Sequence, residues 1–235
     1  MKAIILAAGN GTRMGDLTKD LPKPLLPYQG KPFIQHIIDR LIAVNIHEIF
    51  IVINPKYRAL FNDVTKSYSY IELVEQKYPL GTAHAISLCY SYFGSGKYQD
   101  ILITYGDILF GIEDYQLLSK ESNRCYRMAI NQVQDPYNGC AVYFDQELNI
   151  TKVIEKPAKG TSKTTWNGSG LFGLTTSIFD RLRNKTCNLF MFNEEWNFTR
   201  FFADYCANMA LAIPVKEWTH IENQEVYQQL IGEKQ

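Results

Sequence analysis

Apolar runs of strand length alternate with stretches of helical period along most of the chain. Residues 2–6 form a short apolar run that breaks at once into Gly9-Asn10-Gly11, as a buried first strand does where it opens into a loop. Over residues 32–44, Ile34, Ile37, Ile38, Leu41 and Ile42 recur at the spacing that lines one face of a helix, and residues 48–53 read as a second strand rich in Ile and Val. Residues 71–75, 83–92 and 100–105 repeat the scheme as strand, helix and strand, the last ending in Gly106-Asp107. Strands joined by crossover helices build a largely parallel sheet, whose ligands sit at the carboxyl ends of the strands.

Beyond residue 125 the pattern changes. Residues 127–131, 140–144, 150–154 and 170–174 read as strands with few helices between them, which predicts a partly antiparallel edge. Helices return at 177–182 and 197–207, followed by a strand at 210–215 and a last helix near 224–231. No internal repeat, linker or low-complexity tail interrupts the series. The expected fold is α/β: a single Rossmann-like, three-layer domain over 1–235 with a mixed, mostly parallel central sheet.

Composition narrows the function. Lys+Arg and Asp+Glu balance at 24 each, so no basic excess marks the chain for nucleic acid, and any anion must be held by local groups. The apolar start is too short for a signal peptide or a membrane span. The 5 cysteines are odd in number, scattered and without CxxC spacing, which argues against a disulfide framework or a zinc site and fits a reducing cytoplasm. The expectation is a cytoplasmic protein without a nucleic-acid or membrane partner.

The densest local signal is Leu6-Ala7-Ala8-Gly9-Asn10-Gly11-Thr12-Arg13-Met14, followed by Lys23-Pro24-Leu25. Glycines let backbone N–H groups approach an anion, and Arg13 and Lys23 add a planar fork and a point charge. The spacing is neither the Walker A pattern nor the dinucleotide fingerprint, whose third glycine is replaced by Met14. A tight surface turn with two solvated cations is the bland alternative.

Taken together with Pro79-Leu80-Gly81-Thr82-Ala83, Gly106-Asp107, Glu155-Lys156-Pro157 and Asn167-Gly168-Ser169-Gly170, these blocks resemble the sugar-phosphate nucleotidyltransferase family, in the family's order over nearly the whole chain. The resemblance implies transfer of a nucleoside monophosphate from an NTP to a small phosphorylated acceptor, with release of pyrophosphate. It implies a nucleotide-binding part at about 1–125 and an acceptor-binding part at about 126–235. Arg13, Lys23 and Asp107 carry catalysis in this reading, with Asp107 also a ligand of Mg²⁺. Leu6, Ala8, Gly9, Gly11, Thr12, Gln76, Gly81, Thr82 and Gly106 surround the nucleotide, and Asn138, Gly139, Glu155, Lys156 and Asn167 surround the acceptor.

Gln76 and the Gly81-Thr82 pair resemble the family's base-reading segment in a form that favours a pyrimidine, UTP or CTP, though an amide can turn either way. A sugar 1-phosphate for surface polysaccharide or glycoconjugate synthesis is the first expectation for the acceptor. Cytidylyl or guanylyl transfer to phosphocholine, heptose 1-phosphate or another small phosphorylated acceptor stays open, as does a non-catalytic nucleotide-binding regulator. The chain departs from the family at Trp218-Thr219-His220-Ile221-Glu222, where His220 stands in the position of an acidic second metal ligand. Imidazole suits Mg²⁺ poorly, so Glu222, Asn223 or the phosphates alone complete the site. His84 reads as a packing or capping residue, and the aromatic segment 188–202 as core first and a homodimer contact second.

Overall fold

The computed structural model describes residues 1–9, 11–94, 98–120, 126–183, 191–192 and 195–232, without the side chains of Thr12, Arg13, Arg183, Met191 and Phe192. The chain begins with β1 (Lys2–Ala7), 3₁₀ turns at Thr12–Thr18 and Lys23–Leu25, the ribbon β2 (Pro27–Tyr28) and β3 (Lys31–Pro32), and α1 (Phe33–Ala43). It continues through β4 (Glu48–Ile53), α2 (Arg58–Thr65), β5 (Ile71–Glu75), α3 (Thr82–Ser87), β6 (Asp100–Tyr105), β7 (Ile108–Phe110) and α4 (Ile112–Ser119). Then come β8 (Tyr126–Gln132), β9 (Cys140–Phe144), β10 (Ile150–Glu155), β11 (Trp166–Thr175) and α5 (Ile178–Arg183). A ribbon of β12 (Met191–Phe192) and β13 (Glu195–Trp196), α6 (Phe198–Tyr205), β14 (Ala210–Pro214), β15 (Trp218–His220) and α7 (Gln224–Gly232) complete it.

Among the described residues, nine strands form the central sheet in the order β10-β9-β11-β6-β1-β4-β5, with β8 paired to β11 and β14 to β8. The pairs β1–β4, β1–β6, β4–β5 and β8–β14 are parallel, and those of β11 with β6, β8 and β9 and of β9 with β10 are antiparallel. Traced through these pairings, every strand but β10 and β11 points the same way, so the sheet is mixed and mostly parallel. Its helices cover both faces. Along β1, Ile4 packs into one core with residues of α3, α5 and α6, while Ala3, Ile5 and Ala7 pack into the other with residues of α1, α2, α4 and α7. A strand covered on both faces needs a continuous apolar run, as β1 and β4 have.

The helix α1 starts after Pro32 and ends where Asn45 turns left-handed (φ 62°), with Asn45 N–H donating to Ile42 O and Ile46 N–H to Leu41 O. That is a Schellman closure, which satisfies carbonyls the helix end would leave open. The expected helix at 83–92 is shorter, with α3 ending at Ser87 and a 3₁₀ turn at Tyr90–Tyr92. Strand β11 runs well beyond 170–174 because its first half pairs with β8 and β9 and its second half with β6. Helices α2 and α4 are not among the expected elements: both are short, α2 carries few apolar residues, and α4 is only weakly periodic. Phe198, Phe201 and Phe202 are fully buried in the core, so this part of the aromatic segment is packing. Phe190 lies outside the described residues.

Candidate active site

The parallel strands β1, β5 and β6 end on one side of the sheet, leading into Ala8-Gly9, Gln76 and Gly106-Asp107. The antiparallel half brings the second group of residues to the same place. Strands β6 and β9 share one edge of β11, pairing with residues 171–175 and with Asn167, and the interval Gly168–Gly170 between them is left open. Gly170 (φ 86°) bends β11 there, where a Cβ would come within 3.0 Å of the Tyr105 ring. Because β10 runs back beside β9, Glu155 pairs with Cys140 and lies next to Gly139.

A cleft of about 600 Å³ occupies this opening. Leu6, Ala8, Gly9, Gly11, Lys23, Gln76, Gly81, Thr82 and Asp107 line it, together with Asn138, Gly139, Glu155, Lys156, Asn167 and Glu222. Gly106 stands behind the wall: its N–H donates to Leu6 O at 2.9 Å, and a Cβ would come within 3.0 Å of that oxygen. The side chains of Thr12 and Arg13 lie outside the described residues, so the expected role of Arg13 has no geometry here.

At the centre, Lys23 Nζ lies 3.4 Å from Asp107 Oδ2 and donates to the Glu222 carbonyl at 2.8 Å. The ribbon of β15 with β7 pairs His220 with Ile108, and Ile221 N–H donates to Asp107 O at 3.0 Å. His220 Nε2 is thereby carried to 3.7 Å from Asp107 Oδ2. Burial acts to raise the Asp107 carboxyl, but His220 and Lys23 outweigh it and hold the group below the usual carboxylate range. It is an anion at neutral pH.

On the β5 side, Gln76 is buried, and its Nε2 lies 3.0 Å from Gly81 O and 3.0 Å from His84 Nδ1. Gly81 adopts φ 98° and ψ 178°, a conformation open to glycine alone, with the Trp196 backbone packed against it. The Thr82 hydroxyl accepts from Phe198 N–H at 2.9 Å and so ties this loop to α6.

On the β10 side, Glu155 accepts from Asn197 Nδ2 at 3.0 Å, and Asn197 Oδ1 caps α6 by accepting from Arg200 N–H. Burial pushes the Glu155 carboxyl up, against the opposing pull of Asn197 and Lys156. Lys156 holds a left-handed backbone (φ 42°), rare for a residue with a Cβ, and its N–H donates to Gly139 O at 2.8 Å. Asn167 braces the sheet. Its Oδ1 accepts from Cys140 N–H at 3.1 Å, while Nδ2 donates to Asn131 Oδ1 and Gly168 O, each at 3.0 Å. A Cβ on Gly139 would lie 2.1 Å from that Oδ1, so glycine is needed for the amide to reach its partner.

Sequence reasoning did not single out Asp135, Asn197, Thr199 or Trp218 for this wall, yet all four line it. Among the described residues, Asp135 Oδ1 and Trp218 Nε1 are buried without a hydrogen-bond partner, so each is available to a ligand group of opposite polarity. Only Asn197 carried a local signal, as an Asn directly ahead of an apolar helix.

The family model described as Nucleotidyl transferase matches residues 2–215. The Bifunctional protein GlmU of Methanococcus maripaludis (strain C5 / ATCC BAA-1333) is 30% identical over 187 residues, covering 78% of this chain and 42% of the relative. This chain thus spans less than half the length of that relative. The D-glycero-alpha-D-manno-heptose 1-phosphate guanylyltransferase of Campylobacter jejuni is 29% identical over 206 residues, covering 87% of this chain and 86% of the relative. The solved inositol-1-phosphate CTP transferase of T. maritima superposes with a TM-score of 0.80 at 20% identity, covering 98% of this chain and 94% of that one. At that identity the likeness speaks for the fold. Among the described residues, no helix is long and apolar enough to cross a membrane.

Proposed function

The chain belongs to the nucleotidyl transferase family, the sugar-phosphate nucleotidyltransferases its motifs resemble, and from that premise we propose that it transfers a nucleoside monophosphate from an NTP to a sugar 1-phosphate. The observation that carries the reading is the Lys23–Asp107 pair, 3.4 Å apart, in a cleft with Gln76 and Gly81 on one side and Glu155 and Lys156 on the other. Two anions must meet in this reaction, so the chain acts by positioning and charge neutralisation rather than by covalent catalysis.

An acceptor phosphate oxygen forms a bond to the α-phosphorus as the bond to the bridging α–β oxygen breaks, and pyrophosphate leaves with that electron pair. Lys23, anchored by Asp107 and the Glu222 carbonyl, neutralises the charge that collects between the two substrates. Arg13, from the glycine loop, holds the triphosphate. Gln76 and Gly81 read a base, with UTP favoured, and the Lys156 ammonium binds the acceptor's phosphate. Glu155 accepts from acceptor hydroxyls, aided by Asp135, and the Trp218 N–H donates to an acceptor oxygen.

Magnesium fits the donor set through one ionised carboxylate, Asp107, together with substrate phosphate oxygens, since Mg²⁺ uses one or two protein carboxylates. Bound there it would supply charge stabilisation at the phosphates. His220 does not suit it; the Glu222 backbone oxygen accepts from Lys23, which leaves the Glu222 carboxylate, 3.5 Å from Asn138 Nδ2 on the cleft wall, as the second oxygen donor. The glycine loop, the base-reading segment and the paired acceptor residues support an enzyme over a regulator.

The test is pyrophosphate release with Mg²⁺ across the four NTPs and a panel of sugar 1-phosphates plus phosphocholine. One strong pair is expected. Silence across the matrix from folded protein that binds an NTP would refute the sugar 1-phosphate assignment.

A further inference from the structure

Resting on the nucleotide half of that reading, we propose that His84 is a positioning residue that fixes the sense of the Gln76 side-chain amide and so selects bases bearing a ring N–H, namely uracil, thymine or guanine. A free amide can turn either way and presents opposite chemistry to a base in its two orientations. Here the surroundings leave one. Gly81 O lies 3.0 Å from Gln76 Nε2 and also accepts from Ala85 N–H at 3.1 Å. Turning the amide over would bring its own oxygen to that distance from a carbonyl oxygen, two acceptors with no hydrogen between them.

One amide hydrogen is thereby committed to Gly81, and the second points at His84 Nδ1, 3.0 Å from Nε2. An amide NH₂ donates and has no lone pair to offer, so Nδ1 must accept and the imidazole proton must sit on Nε2. The Trp196 ring meets His84 edge-on, with centroids 5.8 Å apart and planes at 85°, which holds the imidazole in place. Burial pushes the His84 imidazolium down and favours the neutral ring that this contact needs.

With both hydrogens taken, Oε1 is the pole Gln76 has left for a ligand in the cleft. No described residue takes the Gly81 N–H, and Gly81 lines the cleft together with Gln76, so in this proposal that N–H is the donor that completes the pair. An acceptor next to a donor complements the ring N–H and adjacent carbonyl of uracil, thymine or guanine. Cytosine and adenine set a bare ring nitrogen against Oε1, leaving two lone pairs face to face. An unmet polar contact of this kind weakens selection by roughly 10- to 100-fold.

The test measures kcat/KM for each NTP in the wild type, His84→Phe and His84→Asn, and takes the ratio of the better of UTP, TTP and GTP to the better of CTP and ATP. Phe keeps a ring against Trp196 without an acceptor, whereas the Asn oxygen stands in for Nδ1. The ratio should fall by roughly 10-fold in His84→Phe and recover in His84→Asn, with acceptor KM and melting temperature at wild-type values. An unchanged ratio in His84→Phe overturns the proposal. Independently, ¹⁵N NMR of the imidazole in the ligand-free chain should show the Nε2–H tautomer, and an Nδ1–H tautomer overturns it too. A wild type silent with every NTP would refute the reaction, and the tautomer would still decide the role of His84.

Discussion

Replacing Gly81 by alanine tests whether the base-reading loop has the geometry described. A Cβ there would lie 2.5 Å from the Trp196 carbonyl oxygen and 2.8 Å from the Trp196 nitrogen. Backbone rather than a flexible side chain blocks it, so ordinary contact requires the two segments to part by about 1 Å. Parting them breaks the 2.8 Å bond from Trp196 N–H to Leu80 O, a loss of about 1 kcal/mol. The residue must also keep φ 98° and ψ 178°, which adds about 1–3 kcal/mol for a side chain with a Cβ. The total of about 2–4 kcal/mol corresponds to NTP binding weakened roughly 30- to 700-fold if the loop yields locally. If the whole fold bears the strain, the melting temperature drops by about 4–16 °C instead. Pyrophosphate release titrated with NTP and with acceptor, beside a thermal melt, separates these outcomes, and acceptor KM should stay constant in the first. Wild-type NTP KM together with a wild-type melt would refute the reasoning.

Asp107→Asn keeps the shape and removes the charge, so kcat for pyrophosphate release should fall roughly 100-fold or more with an unchanged fold; a wild-type kcat would remove Asp107 from the mechanism. Glu155 has its native pKa raised, so the folded chain holds an extra proton between the unfolded and native values. Its contribution to stability is therefore lost as pH rises through that window, while the carboxylate that accepts hydroxyls is lost as pH falls through it. Acceptor KM should accordingly climb on acidification before an ordinary glutamate would titrate. Glu155→Gln should raise acceptor KM about 10-fold and flatten the profile, and a wild-type profile already flat would count against the role. Asp114 is fully buried and accepts from Gly111, Lys216 and Glu217 N–H at 3.1 to 3.3 Å. Asp114→Ala strands all three donors, so denaturant melts should show a loss of about 3 kcal/mol or more, and a loss under about 1 kcal/mol would contradict that count.

The sequence by itself determined most of the elements and the identity of many polar residues of the cleft wall. Strand and helix follow from local spacing of apolar side chains, so β4, β5, β6 and β9 stand where periodicity put them. The glycine loop and Gly106-Asp107 were legible because each follows the end of a parallel strand, and such ends lie together; Gly81 and Glu155-Lys156, beyond β5 and at the end of the oppositely directed β10, were legible only through their motifs. Tertiary structure alone decided what depends on partners distant in the chain. The pairing of β15 with β7 sets His220 beside Asp107, and the continuation of β11 past the end of β6 opens the cleft between the two halves. Asn167 lines the cleft, yet only the fold shows that its amide also braces the sheet through Cys140, Asn131 and Gly168, while Gly106 packs behind the wall. Gln76 was named from its motif, yet only Gly81 and His84, folded around it, decide which end of its amide meets a ligand. A motif fixes which group is present; hydrogen-bond geometry in three dimensions fixes which of its atoms remain free.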